Sequence, residues 1–237
     1  MIINFEQLKR ECAPFGVELD AEMCERFDIY AATLIEWNKV MNLTGITEPE
    51  GIVTRHFADS LSFFAAASPK NKDSLIDVGS GAGFPGLALK IVRPDMNITL
   101  LDGTNKRINF LKETASRMGL DVNAVHSRAE EAAARPEHRE KYDFATARAV
   151  AALNLLAEYC FGFVKVGGKL VAMKGPNIDA ECNEAKAAIK LMGGEICDIM
   201  SLSLADGSER CIVTADKIKP TPTGYPRVSA KIAKKPL

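Results

Sequence analysis

In the first seventy residues the apolar positions recur at helical spacing. Phe27, Ala31, Leu34 and Met41 form one stripe, with Tyr30 and Trp37 beside it, and Val53, Phe57, Leu61 and Phe64 form a second. Asn4 predicts the cap of a shorter helix ahead of Pro14, and Thr47-Glu-Pro-Glu50 punctuates the chain before Gly51. From Ser74 the pattern changes to short apolar runs, which predict strands at 74–79, 98–102, 121–126, 143–147, 167–173, 194–203 and 209–216. Helical stretches near 85–92, 104–118, 128–135, 151–162 and 178–192 lie between them, and Pro85 suits the first position of the first. Alternating strands and helices predict a parallel, doubly wound α/β sheet. The last two strands are separated only by Ala205-Asp-Gly-Ser208, too short for a crossover helix, so they pair as an antiparallel hairpin. The division expected is a helical extension over 1–70, an α/β core over 71–216 and a basic tail over 217–237.

The first predicted strand ends in Asp77-Val-Gly79-Ser-Gly81-Ala-Gly83-Phe84-Pro-Gly86. Strand, tight turn and helix start follow one another, with side chains removed where a ligand's backbone must come close. Two cofactors compete for such a turn. Gly81-x-Gly83-x-x-Gly86 formally fits a dinucleotide fingerprint, and Asp102, ending the next apolar run, stands where a ribose-binding acid belongs. Asp77, inside the strand end, suits the ammonium of a methionine moiety better than a pyrophosphate and favours S-adenosylmethionine. The predicted seven-stranded sheet with its terminal antiparallel hairpin agrees, since it is the architecture of class I methyltransferases (a Rossmann-like fold).

Composition narrows the setting. At 237 residues the chain can bury one substantial core. No apolar run approaches a membrane span, and acids and bases are mixed early in MIINFEQLKREC, so neither membrane nor signal peptide is expected. Six cysteines without C-x-x-C spacing and three scattered histidines argue for reduced thiols in a cytoplasm and against a metal site or a disulfide framework. The net charge of −1 is unevenly spread: Lys217, Lys219, Arg227, Lys231, Lys234 and Lys235 carry the tail, which has no acid. Charge alone fits a tail that contacts a polyanion equally well as a solvated terminus.

Cations also gather at the predicted strand ends: Lys106 and Arg107 after the second strand, Arg128 after the third, Arg148 after the fourth and Lys174 after the fifth. That placement suits a phosphate-rich substrate laid across the cofactor. Several of these residues belong to motifs that, in order from Trp37 to the C-terminus, resemble the bacterial small-subunit rRNA guanine-N7 methyltransferases, the glucose-inhibited division protein B family. The pieces are Trp37-Asn-Lys-x-x-Asn42-Leu-Thr44, Arg55-His56-x-x-Asp59-Ser60, the glycine turn, Leu101-Asp102 with Lys106-Arg107, Ser127-Arg128-Ala129-Glu130, Ala147-Arg148-Ala149, Met173-Lys174-Gly175, Tyr225-Pro-Arg227 and Lys234-Lys-Pro-Leu237. The glycine turn is common to many methyltransferases, whereas its combination with Arg55-His56-x-x-Asp59-Ser60 and Lys174-Gly175 is far more specific.

The resemblance implies methyl transfer from S-adenosylmethionine to N7 of one guanine in the decoding-region loop of 16S rRNA, within the small subunit or an assembly intermediate. It implies cofactor contacts at Gly79, Phe84, Ala129, Glu130 and Arg148, to which the loop argument adds Asp77, Gly81, Gly83 and Asp102. Lys106, Arg107, Arg128 and Lys174 are expected on RNA, with Arg148 and Lys174 positioning the substrate. No general base is expected, because guanine N7 offers a bare lone pair at neutral pH. His56 reads as a satisfied structural histidine and Trp37 as a packing residue. An NAD-dependent oxidoreductase and a non-catalytic ribosome-binding protein of the same fold are the alternatives.

Overall fold

The computed structural model describes residues Met1–Leu237. Helices come first: α1 (Phe5–Cys12), α2 (Ala21–Asn38), α3 (Pro49–Ile52), a wide π-helical turn (Val53–Ala58), α4 (Asp59–Leu61) and α5 (Phe63–Ala66). Asn4 caps α1 by accepting from the amides of Glu6 and Gln7. Most of both apolar stripes is helical, with Phe27, Ala31, Leu34, Val53, Phe57 and Leu61 buried, but Met41 lies past the end of α2 at Asn38 and is only half-buried. At the end of the second, Phe63 rather than Phe64 is fully buried, because the π-helical turn shifts the helical phase.

The core alternates β1 (Ser74–Val78), α6 (Gly86–Val92), β2 (Asn97–Asp102), α7 (Asn105–Arg117), β3 (Asn123–His126), α8 (Ala129–Ala133), β4 (Tyr142–Arg148), α9 (Leu153–Phe161), β5 (Val164–Lys174), α10 (Asp179–Leu191), β6 (Gly194–Ser203) and β7 (Glu209–Lys217). A short α11 (Ser229–Lys234) closes the chain. The sheet order is β3-β2-β1-β4-β5-β7-β6. All pairs are parallel except β5·β7 and β6·β7, so the expected hairpin is present and its second strand inserts between the first and β5. Chain reversal between β1 and β4 leaves a crevice at the strands' carboxyl ends, where open α/β sheets bind ligands.

Strand alternation sorts the core into two layers. Leu75, Leu100 and Val171 face α6, α7 and the N-terminal helices. Ile76, Val78, Leu101 and Ala172 face α9 and α10. Helix α6 begins at Gly86, with Pro85 just before it rather than at its first helical position.

The terminal segment follows the surface of the core. Lys217 is the last residue of β7 and is buried; its ammonium donates to the carbonyls of Phe161 and Met192. Arg139 donates to the carbonyls of Tyr225 and Thr221. Two of the six cations counted on the tail, Lys217 and Arg227, therefore hold the chain to the core, Arg227 through the buried Glu158.

Candidate active site

The carboxyl ends of β1–β4 open into a cleft of about 480 Å³, within the range of small-molecule sites. Val78, Gly79, Leu101 and Asp102 form its base; Gly103, Ser127, Arg128, Ala129 and Glu130 line the β2–β3 end; Val150, Ala151, Leu155 and Tyr159 line the β4–α9 end. Gly79 adopts φ +74°, and a Cβ there would come within 2.8 Å of Val150, so both torsion and space demand glycine. Gly81 also has positive φ but faces open space, its nearest neighbour being the Gly79 carbonyl at 3.9 Å.

Asp102 braces this turn. Its carboxylate accepts from Gly81 N at 2.9 Å and Thr104 N at 2.8 Å, and Arg107 lies 3.5 Å away. Each oxygen keeps acceptor capacity toward the cleft, as two vicinal hydroxyls of a ribose require. Gly103 exposes bare backbone next to it, and the apolar walls Leu101, Val150 and Leu155 suit a flat base. These residues fit an adenosyl cofactor.

Asp77 does not reach the cleft, contrary to the ammonium argument. Alternation along β1 turns it toward α6 while Val78 faces the cleft. Asp77 is fully buried, one oxygen accepts from Gly86 N at 3.0 Å, and the other has no partner. It caps the first turn of α6, where an anion is favourable, yet burial pushes its carboxyl up to about 7. Gly83 is likewise not against the cleft: a Cβ would lie 2.5 Å from the Tyr30 hydroxyl and 2.7 Å from Leu87. That glycine lets α2 approach the turn, and Tyr30 donates to the Ala82 carbonyl.

Phe84 and Arg148 lie outside the lining of the cleft too. Phe84 stacks with His56, at 4.4 Å, and with Tyr30, at 5.1 Å between centroids, and the Arg148 guanidinium lies 4.9 Å from its ring centroid. Arg148 lines a second cavity of about 350 Å³ with Arg55, His56, Asp59, Ala149, Met173, Lys174, Gly175 and Arg210. Arg128, expected on RNA, instead lines the first cleft beside Gly103. Lys106 is solvent-exposed.

The cations of the second cavity are held in place by acids. Asp59 accepts from Arg148 at 2.7 Å and from Arg210 at 3.0 Å, Lys174 pairs with Glu181 at 2.6 Å, and Arg55 pairs with Asp206 at 2.6 Å. Lys174 also donates to the Ala151 carbonyl at 2.8 Å. The π-helical turn aims the Arg55 carbonyl at Arg148, 3.2 Å away. Burial and the neighbouring guanidinium hold His56 down to about 3, so its ring is neutral at neutral pH. Its Nε2 lies 2.8 Å from the Thr44 hydroxyl.

The β4–α9 connection separates the two cavities. Arg148 and Ala149 belong to one, Val150 and Ala151 to the other, and Ala149 takes a left-handed φ of +56° to make the turn. Sequence reasoning missed Leu155, Tyr159, Ser229 and Ala233 in the first cavity and Arg55, Asp59 and Arg210 in the second. Leu155 and Tyr159, four apart on α9, look like ordinary core positions in the sequence. Arg55 and Asp59 stood in a recognisable motif, but only folding places them beside β4.

Sheet order, glycine turn and crevice together define a class I S-adenosylmethionine-dependent methyltransferase fold. Solved structures sharing it include TrmN from Thermus thermophilus (TM-score 0.53, 15% identity, 70% of this chain and 53% of that one). Another is M. jannaschii TYW2 in complex with AdoMet (TM-score 0.51, 16% identity, 63% of this chain and 71% of that one). The family model GidB, rRNA small subunit methyltransferase G, matches residues 23–210. Curated proteins named ribosomal RNA small subunit methyltransferase G are 45% identical in Clostridium perfringens, over 98% of both chains, and 48% identical in Acetivibrio thermocellus, over 94% of this chain and 92% of that one. The chain belongs to this rRNA small subunit methyltransferase G family.

Proposed function

We propose that the protein transfers the methyl group of S-adenosylmethionine to N7 of a guanine in the decoding-region loop of 16S rRNA. The observation that carries this reading is the pair of cavities meeting at one partition, the first suited to an adenosyl cofactor and the second lined by four cations. When bound, the cofactor supplies an electrophilic methyl on a sulfonium. Asp102 would take the ribose hydroxyls, Gly79 leaves its backbone open to the methionine portion, and Glu130 and Ser127 offer acceptors at the β3 end.

On the substrate side, Arg148, Lys174, Arg55 and Arg210 would hold the nucleotide through phosphate and the guanine edge. Guanine presents N7 and O6 as acceptors. A donor placed on N7 would occupy the lone pair that must attack, so the productive arrangement addresses O6 and leaves N7 free. N7 would accept the methyl through its own lone pair and would lose no proton in doing so. His56, held down to about 3 and with Nε2 beside the Thr44 hydroxyl, is a poor proton acceptor, which accords with that: no base is needed, and rate comes from alignment, worth up to about 7–11 kcal/mol in the best cases.

Incubation of unmodified small subunits and of naked 16S rRNA with labelled S-adenosylmethionine, followed by mapping of the labelled base, tests the proposal. Label on one guanine N7 of the decoding-region loop is expected. Cofactor binding without label in either RNA would instead identify a non-catalytic binding protein.

A further inference from the structure

The terminal segment ends in a short helix that borders the first cavity. Ser229 and Ala233, four residues apart on α11, face the same space as Leu155 and Tyr159, four apart on α9. Helix α11 is pinned to α9 at both ends. Before it, Arg227 clamps Glu158, whose carboxylate is buried, through its amide at 2.7 Å and its guanidinium at 2.8 and 2.6 Å. After it, the Leu237 oxygen accepts from Asn154 at 3.3 Å. Arg227 thus meets the later turns of α9 and Leu237 the first, so α11 runs antiparallel to α9, with Ile232 buried between the anchors. A bidentate guanidinium–carboxylate pair fixes orientation as well as distance, which a lysine would not do. A solvated tail would need none of this.

We propose that the C-terminal segment is a wall of the cofactor site, and that Arg227 and Glu158 are positioning residues for cofactor binding, acting through the placement of Ser229 and Ala233. This rests on the reading of the first cavity as the S-adenosylmethionine site. The exposed Lys231, Lys234 and Lys235 lie on the same segment, so an RNA contact there would bear on the cofactor's wall.

Calorimetry of the full-length protein with S-adenosylmethionine tests the assignment. Ala233→Trp adds bulk from an exposed position and leaves the core intact; it should raise the Kd at least tenfold without changing the melting temperature of the free protein. Arg227→Met should raise it at least tenfold and Arg227→Lys by less. In steady state, the KM for cofactor should rise while the KM for RNA and the kcat at saturating cofactor stay within twofold. If Arg227→Met does not fold, Ala233→Trp decides alone. Affinity within twofold of the parent for Ala233→Trp overturns the proposal. Gly103→Trp, at the β2 end of the cavity, separates the two levels. Weakened binding there alone removes only the wall, whereas undiminished binding there removes the cofactor assignment itself.

Discussion

Asp77 shows how little a residue's chemistry says until its direction is known. An acid ahead of a glycine turn suggested a partner for an ammonium, but strand alternation sends it under the turn to cap α6. Burial raises its carboxyl from the ordinary 3.8 to about 7, so the folded chain keeps the proton where the unfolded chain has lost it. Its contribution to stability is complete below about pH 4 and is lost as pH rises through 7. In Asp77→Asn, denaturant unfolding between pH 4 and 8 should lose that part of the decline and retain the α6 cap. A decline as steep as the parent's would show that Asp77 is ionised in the fold. Gly83 teaches the same lesson. Gly83→Val should lower stability by about 1–3 kcal/mol through the clash with Tyr30 and Leu87, compounded by its φ of +94°. Cofactor loss in that variant should follow unfolding; thermal melting beside calorimetry distinguishes this from a lost ligand contact at an unchanged melting temperature.

At the scale of elements, the sequence located every strand to within three residues, because apolar runs between charged helices carry their own boundaries. Two elements behave differently from their patterns. The stripe through Val53, Phe57 and Leu61 reads as an ordinary helix, yet one wide turn directs the Arg55 carbonyl at Arg148. The terminal segment reads as a charged tail, yet Lys217, Thr221, Arg227 and Leu237 all bond to the core. Composition counts charges and cannot see that Glu158 lies buried opposite Arg227. Truncation after Asp216 leaves that carboxylate without its partner, a loss of about 3–5 kcal/mol for a buried pair. The truncated protein should therefore melt early and lose cofactor affinity. A normal melting curve, with only a flatter salt dependence of RNA binding, would mark the segment as an RNA contact instead.

Across the whole molecule, the N-terminal helices and the sheet meet at one carboxylate in the second cavity. Asp59, from α4, holds Arg148 of β4 and Arg210 of β7 at once. Asp59→Asn keeps the shape and removes the charge, so both guanidinium groups lose their fixed orientation in the second cavity. Methylation of 16S rRNA should fall at least tenfold, while S-adenosylmethionine affinity stays within about threefold because Asp59 does not line the first cavity. Equal losses in both measurements would mean that the cavities are not separable functions.

By itself the sequence determined the sheet, its antiparallel close, the glycine turn and the residue types at the strand ends, because periodicity, turn chemistry and chain length are local properties. It also carried the motifs by which the family is recognisable. Only the tertiary structure decided which strand-end residues share a cavity. Arg128 lines the first cavity rather than the second; Arg148 sits in the second cavity with Arg55, Asp59 and Arg210, residues up to 155 positions apart in the chain; and a terminal helix borders the first cavity. Those outcomes depend on which face of a strand a side chain takes and on how buried charges find partners across long separations, and no local pattern encodes either.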